Sequence, residues 1–274
     1  MKQKLHFTKM QGAGNDYIYV DGTRHTLRDP SRAAILLSDR HFGIGSDGLV
    51  IIGAANVKGA DFSMRIFNAD GSEGKMCGNA ARCIGKYLYE KKLTDKMVIK
   101  LQTASGIKTI WIKPAADKAE SVTVDMLQPQ GGSGRSISLE AGGRRYSGRF
   151  ISMGNPHFVI KTDDAQGVDL PAVGPLLENH PSLPERSNSE FVQEVEHRTL
   201  RVRVWERGSG ITLACGSGAC ASAVAMTLDG MGFGTTKVIM DGGELAVEWK
   251  SEQSNVYLSG PAEFVFEGDI DYKE

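Results

Sequence analysis

Two cysteines stand in matching surroundings. Cys77 opens the run C-G-N-A-A and Cys215 opens C-G-S-G-A. Each precedes a Gly and a segment with helical apolar spacing. A thiol at a helix N-terminus meets oriented N–H groups and the positive end of the dipole, which is expected to stabilise its thiolate and lower its pKa. The same N–H groups can hold a carboxylate. A single Cys of this kind most often only packs, since free Cys is among the most buried residue types. Two at equivalent points of a repeat suggest more. A pseudo-twofold axis would set them on opposite sides of one cleft, which suits stereoinversion at carbon. One thiolate removes the α-proton and the other thiol returns a proton to the opposite face. Helix N-termini aimed at the carboxylate would stabilise the planar carbanion without a cofactor. Cys83 and Cys220 fall inside the helices and read as core.

The elements that must position these thiols repeat as well. Cys77 and Cys215 are 138 residues apart, and Arg65-Ile66-Phe67 meets Arg203-Val204-Trp205 at the same offset. Gly14-Asn15 and Gly154-Asn155 are 140 apart. Each half runs from a strand and a Gly-Asn turn to an Arg-led apolar strand, a Gly/Ser loop and a Cys-Gly helix start, which reads as a duplication. Short apolar or alternating runs predict strands at 5–10, 18–20, 49–52, 62–67, 97–102, 108–112, 121–126, 149–152, 158–161, 189–195, 200–206, 237–240, 245–250 and 256–259. Helices are predicted at 30–40, with Asp29 as N-cap and Pro30 in the first turn, at 78–92, and at 219–229. The last is apolar on nearly every face and must be buried, inside curved sheets. The polar stretch 113–121 (KPAADKAES) marks a boundary, and 128–136 reads as a flexible loop. The expected domains are 1–115, completed by 264–274, and 116–263.

Composition narrows the function. A chain of 274 residues makes one large or two modest domains. With 32 basic and 33 acidic residues the net charge is −1, so no basic surface awaits a nucleic acid. Hydrophobic residues at 41% and charged residues at 24% mark a soluble globular chain. Gly is in excess, 33 residues against a usual share of about 7%. The C-x5-C and C-x4-C spacings do not make a zinc site, and no metal is expected. The N-terminal run lacks a signal-peptide core. Residues 208–228 carry no charge, but nine of them are Gly, Ser or Thr, so a buried helix is expected there and not a membrane span. These readings predict a reduced, cytoplasmic protein. Gly43–Gly48 matches GxGxxG but precedes a strand, and 216–221 matches the GxGxxA variant too far from its strand. Neither supports a dinucleotide site.

Polar residues gather around the repeats. Asn15, Asn68, Asn155, Asn188, Glu206 and Arg207 fall at strand ends or turns. Asn often serves turns for backbone reasons. Arg207 beside Glu206 is more telling: Arg can hold a carboxylate bidentately and Glu can accept from an ammonium. His157, after Gly154-Asn155-Pro156, reads equally as a ligand contact or a satisfied loop residue.

These residues resemble the diaminopimelate epimerase family. The matching segments are 7–16 (FTKMQGAGND), 39–49 (DRHFGIGSDGL), 65–83 (RIFNADGSEGKMCGNAARC), 152–158 (SMGNPHF), 184–191 (PERSNSEF), 206–221 (ERGSGITLACGSGACA) and 259–262 (SGPA). The weakest stretch is 115–149. The resemblance implies an α/β (α+β) fold of two pseudo-symmetric domains. Each would be a curved, barrel-like, mostly antiparallel sheet around a central helix, with the active site in the inter-domain cleft. It implies interconversion of LL- and meso-diaminopimelate in lysine and peptidoglycan precursor synthesis, without pyridoxal phosphate or metal, by a cytoplasmic homodimer. The catalytic pair falls on Cys77 and Cys215. Substrate contacts fall on Asn15, Asn68, Asn155, Asn188, Glu206 and Arg207, backbone contacts to the reacting carboxylate on Gly78, Asn79, Gly216 and Ser217, and His157 sits beside them. Some relatives carry Gln where this chain has Gly48 and His where it has Gln11, so one side-chain contact is expected to be missing. Cousins acting on proline-type substrates show Cys-Gly-His where this chain has Cys77-Gly78-Asn79. Cousins that isomerise phenazine precursors lack the Cys pair. A racemase for another amino acid, such as a basic one, and a non-catalytic binding protein of the same fold remain the alternatives.

Overall fold

The computed structural model describes residues 2–131, 134–183 and 186–273. Along the first strand, β1 (Lys2–Gly12), Leu5 and Phe7 are buried while Lys4 and His6 are exposed. That period-two pattern makes a strand with one face inward. There follow β2 (Asn15–Asp21), α1 (Pro30–Ser38), β3 (Gly48–Ala54), β4 (Phe62–Asn68), β5 (Glu73–Gly74), α2 (Gly78–Glu90), β6 (Val98–Thr103), β7 (Gly106–Ala115) and β8 (Lys118–Asp125). The chain continues through β9 (Arg135–Ala141), β10 (Arg144–Ser152), β11 (Pro156–Lys161), α3 (Leu170–Glu178), β12 (Asn188–Glu196), β13 (Thr199–Glu206), β14 (Gly210–Ile211) and α4 (Gly216–Met226). It ends with β15 (Gly234–Met240), β16 (Gly243–Trp249), β17 (Val256–Gly260) and β18 (Glu263–Lys273). Two compact units form, Met1–Val124 with Gly260–Glu274, and Asp125–Ser259.

The units repeat each other strand for strand. In the first, β1 pairs antiparallel with β18 and β2. Then β2–β3 is parallel, β3–β4 antiparallel, β4–β6 parallel, and β6–β7 and β7–β8 antiparallel, with β5 against β4. In the second, β10 pairs antiparallel with β9 and β11. Then β11–β12 is parallel, β12–β13 antiparallel, β13–β15 parallel and β15–β16–β17 antiparallel, with β14 against β13. The last strand, β18, therefore fills in the first unit the place that β9 fills in the second. Parallel neighbours need a crossover. The helices supply it: α1 and α3 on one pair of strands, α2 and α4 on the other.

The two Cys-Gly helices are the buried ones. In α2 every residue from Gly78 to Leu88 is buried. A methyl group at Gly85 would stand only 2.9 Å from Val122 of β8 and 3.0 Å from Ile110 of β7. In α4, all of 216–226 except Ser217 is buried. The outer helices are amphipathic instead. Ala33, Ala34 and Leu37 of α1 join Leu5, Ile18, Leu49 and Phe67 in one core cluster. Leu170, Val173 and Leu177 of α3 join Phe158, Ile160 and Phe191 in another.

Several expectations change. Helix α3 has no signal in the sequence, because Pro171, Gly174 and Pro175 read as breakers. Asp169 caps it by accepting from the Ala172 N–H, and Pro171 lies in its first turn. The stretch 113–121 is no boundary but the turn of the β7–β8 hairpin, with Pro114 tolerated at a register shift. Helix α4 begins at Gly216 and not at 219, and gives way to a π turn at Thr227–Met231. Strand β9 begins at Arg135, inside the expected loop, and β18 is a full strand. Among the described residues no helix is long and apolar enough to cross a membrane, which says nothing of membrane crossing by strands.

Candidate active-site residues

In the first unit Cys77 is the N-cap of α2, in extended conformation, its Sγ accepting from the Ala80 N–H at 3.5 Å. Its thiol donates to Asn15 Oδ1 at 3.5 Å, and Asn79 Nδ2 donates to the same oxygen at 3.1 Å. Asn79 Oδ1 accepts from Arg82 at 2.9 Å. What points Asn15 Oδ1 at the thiol is Asp47: Asn15 Nδ2 donates to Asp47 Oδ2 at 2.8 Å. A carboxylate only accepts, so the amide can face it only with its nitrogen. Burial pushes the Asp47 carboxyl up, and neighbouring Asp16 adds to this, against the pull of Asn15 and Arg40. Burial works on Asp16 too, but Arg40 and Lys9 outweigh it and hold that carboxyl below its usual range. Lys9 pairs with Asp16 at 2.7 Å, and Arg40 reaches both carboxylates at 2.9 and 3.0 Å. Asn68 ends β4 and donates to Ser72 Oγ at 3.0 Å. Gly48 lies opposite it in register. A side chain there would begin 2.1 Å from the Phe67 carbonyl oxygen, so on this backbone the Gln of relatives has no room.

In the second unit Cys215 caps α4 in the same way, its Sγ accepting from the Gly218 N–H at 3.3 Å. Ser217 Oγ lies 3.5 Å from that sulfur. The expected fall in thiol pKa does not occur here. Burial pushes the Cys215 thiol well above its ordinary value, Glu206 and Glu190 add to the rise, and Ser217 and the Gly218 N–H only partly oppose it. A helix terminus is a partial charge, and it loses to desolvation and two carboxyl groups. Glu206, at the end of β13, is pushed up chiefly by burial, and accepts from Thr212 and from the Cys215 thiol.

His157 is fully buried. Its Nδ1 lies 2.6 Å from Glu190 Oε1 and its Nε2 3.2 Å from Asn155 Oδ1. Asn188 Nδ2 is 3.3 Å from His157 Nδ1, while Asn188 Oδ1 accepts the Arg207 N–H at 2.7 Å. The structure thus joins Asn155, His157 and Asn188 to the backbone of Arg207, whose side chain is exposed, and joins Cys215 to Ser217 and Glu206. Pro184 and Glu185 of the 184–191 motif lie outside the described residues. Sequence reasoning missed Asp47, although its motif was noted, and Glu190, whose one signal was a charged residue at the buried start of a strand. Among the described residues no three His, Cys, Asp or Glu side chains gather as a metal site.

Register makes the half-sites comparable. Tyr17 pairs with Gly48, and Gly48 with Asn68, in the first unit. His157 pairs with Asn188 in the second, and the pairing of Ser189 with Trp205 sets Asn188 across from Glu206. Tyr17, Gly48 and Asn68 therefore occupy the places of His157, Asn188 and Glu206. The frame is the same, but at these matched places the second unit carries a His and a Glu where the first carries a Tyr and an Asn.

Comparison with known proteins follows the same lines. The sequence model of the diaminopimelate epimerase family matches residues 7–130 and 149–265. The chain is 54% identical to a diaminopimelate epimerase of Phocaeicola vulgatus, over 99% of this chain and all of that one. It is 53% identical to one of Parabacteroides distasonis, over 98% and 99%. Among solved structures it shares its fold with a hydroxyproline epimerase of Agrobacterium vitis (TM-score 0.74, 14% identity, covering 100% and 95% of the chains). A Bacillus anthracis phenazine biosynthesis protein of the PhzF family also shares it (TM-score 0.70, 18% identity, covering 98% and 99%).

Proposed function

Since the chain belongs to the diaminopimelate epimerase family and is an isomerase, we propose that it interconverts LL- and meso-diaminopimelate with Cys77 and Cys215 as its acid and base. One observation carries the reading: both thiols cap equivalent buried helices on equivalent strand frameworks. The thiolate of one takes the α-proton and becomes a thiol. The thiol of the other gives its proton to the opposite face and becomes a thiolate. Nothing is consumed, and the reverse reaction starts from the swapped state. Pyridoxal phosphate and metal have no step in this scheme. The first N–H groups of a helix have no intrahelical acceptor. Those of Gly78 and Asn79, and of Gly216 and Ser217, would stabilise the charge that builds on the α-carboxylate. With its thiol pushed up, Cys215 rests protonated and acts as donor in the direction in which Cys77 is the base. Asn15, Asn68, Asn155, Asn188, Glu206, Arg207 and His157 are proposed to bind and orient the substrate, the Glu and Arg reading its distal amino-acid group. A homodimer in the cytoplasm, serving lysine and peptidoglycan precursor synthesis, completes the proposal.

The test is turnover of LL-diaminopimelate in deuterated water. Meso product with deuterium at one α-carbon is expected. Turnover of single amino acids but not of LL-diaminopimelate would favour a racemase of other specificity, and absence of exchange with any of them would sink the enzyme reading. A second expectation concerns Asp47. Asp47→Ala removes the acceptor that points Asn15 Oδ1 at Cys77. The loss should approach that of a hydrogen bond to a charged group, about 1.5–3 kcal/mol, or a fall in kcat of about 10- to 100-fold. Wild-type kcat in this variant would show that the orientation of Asn15 does not matter.

A further inference from the structure

We propose that Glu190, acting through His157 and the first turn of α4, is a positioning residue for proton exchange at Cys215; this rests on the epimerase reading above. Glu190 and His157 are both fully buried, with Nδ1 and Oε1 2.6 Å apart. The second carboxyl oxygen, Oε2, is buried without a hydrogen-bond partner. Such a group is costly, and an apolar side chain of similar size is commonly neutral or better for stability. The other unit shows that the frame does not need it. Val159 pairs with Glu190 in β11–β12 as Tyr19 pairs with Val50 in β2–β3, so the sister position is a fully buried Val. Its partner His157 likewise has Tyr17 as sister. The acid and the imidazole thus stand together on one copy of the frame and are replaced together on the other.

The carboxyl also faces the thiol's own support. A methyl group on Gly218 would lie 2.7 Å from Glu190 Oε1 and 3.3 Å from Cys215 Sγ. Gly218 is the residue whose N–H holds that sulfur. Two consequences follow. The Glu190 bond fixes the ring of His157, with Nδ1 toward the carboxyl and Nε2 toward Asn155. And the Glu190 carboxyl, set beside the turn that holds the sulfur, adds to what keeps the proton on Cys215. The other groups acting on that thiol are Glu206 from β13, and Ser217 and the Gly218 N–H from α4, while His157 from β11 acts on Glu206.

The test compares wild type with Glu190→Gln, which keeps shape and loses charge, and Glu190→Val, which installs the residue the sister unit already folds around. Alkylation of Cys215 by iodoacetamide, followed by peptide mass spectrometry, reads the thiol without turnover. Removing the carboxylate lowers the proton affinity of the thiol. Thiolate at a fixed pH near 8 then rises, and alkylation should be about three- to tenfold faster. In turnover, kcat should fall about 10-fold or more with KM within about twofold. The alkaline fall of kcat in the direction using Cys215 as donor should move to lower pH. Unchanged alkylation rates and pH profiles in both variants would overturn the proposal, even if both lost stability. Failure of the wild type to turn over LL-diaminopimelate would overturn the epimerase reading instead, and the alkylation arm would still decide whether Glu190 governs Cys215.

Discussion

Replacing either Cys77 or Cys215 by Ser is expected to lower epimerisation by about 10²- to 10⁴-fold, the usual worth of a positioned acid or base. The reason is chemical and not structural. Ser is close in size and a better N-cap than Cys, so the Ala80 and Gly218 N–H groups keep an acceptor and both helices should persist. What disappears is a group able to hold and release a proton near neutral pH. Because each thiol is needed in every turnover, the double variant should be little worse than either single one. Strictly additive losses, or a single variant with near-native turnover, would count against the two-thiol mechanism. The raised pKa of Cys215 gives a sign as well. In the direction that uses it as donor, the active form is the thiol, so kcat stays level through neutral pH and falls as pH rises through the thiol's value. In the direction that uses it as base, kcat rises over the same range.

Gly174→Ala should destabilise the protein although it removes a glycine from a helix. Ala for Gly in a helix normally gains about 1 kcal/mol. Here the new methyl group would lie 2.2, 2.4 and 2.5 Å from three atoms of the Trp205 indole. That ring is held from its other end, since Trp205 Nε1 donates to Glu178 Oε2 at 2.7 Å. Glu178 also accepts from the Gly208 N–H at 3.0 Å and pairs with Arg186. Overpacking a core costs roughly 1–3 kcal/mol. At about 2–4 °C per kcal/mol, Tm should drop by several degrees in calorimetry. An equal or higher Tm would mean that the indole swings aside without loss. Trp205 directly precedes Glu206, so the variant should also lose activity beyond its loss of stability.

The parts of the fold with a local signature were legible in the sequence. Asp29 and Pro30 announced α1, and the Cys-Gly starts announced α2 and α4. The ordered echoes at an offset near 138 announced the repeat. Helix α3 was hidden because its two prolines and a glycine argue against a helix. Only the Trp205 face and the Phe158–Phe191 cluster make it one. Strand β18 was hidden because little of it is buried to mark an alternation. The site divides in the same way. The cysteines stand in recognisable motifs, but the rise in the Cys215 pKa comes from burial, with Glu206 and Glu190 adding to it. Those lie on different strands, and only register brings them near one thiol. Asp47 was visible as a letter in a motif, but its role depends on meeting Asn15, 32 residues away.

The pairing of β1 with β18 bears on how the polypeptide is made. Lys2 to Gln11 find their partners in Glu263 to Lys273, some 250 residues later. During synthesis β1 emerges long before β18 and must wait for it. The second unit, by contrast, is one continuous stretch, and β9 to β16 pair along the sheet within it. The second unit can therefore reach its native form while β1 still exposes an unpaired strand edge, open to mispairing with other nascent chains. Chain-end closure across so long a span is also slow for entropic reasons. A truncation that removes β18 would then spare the second unit and leave the first, with Cys77 in it, short of its closing strand.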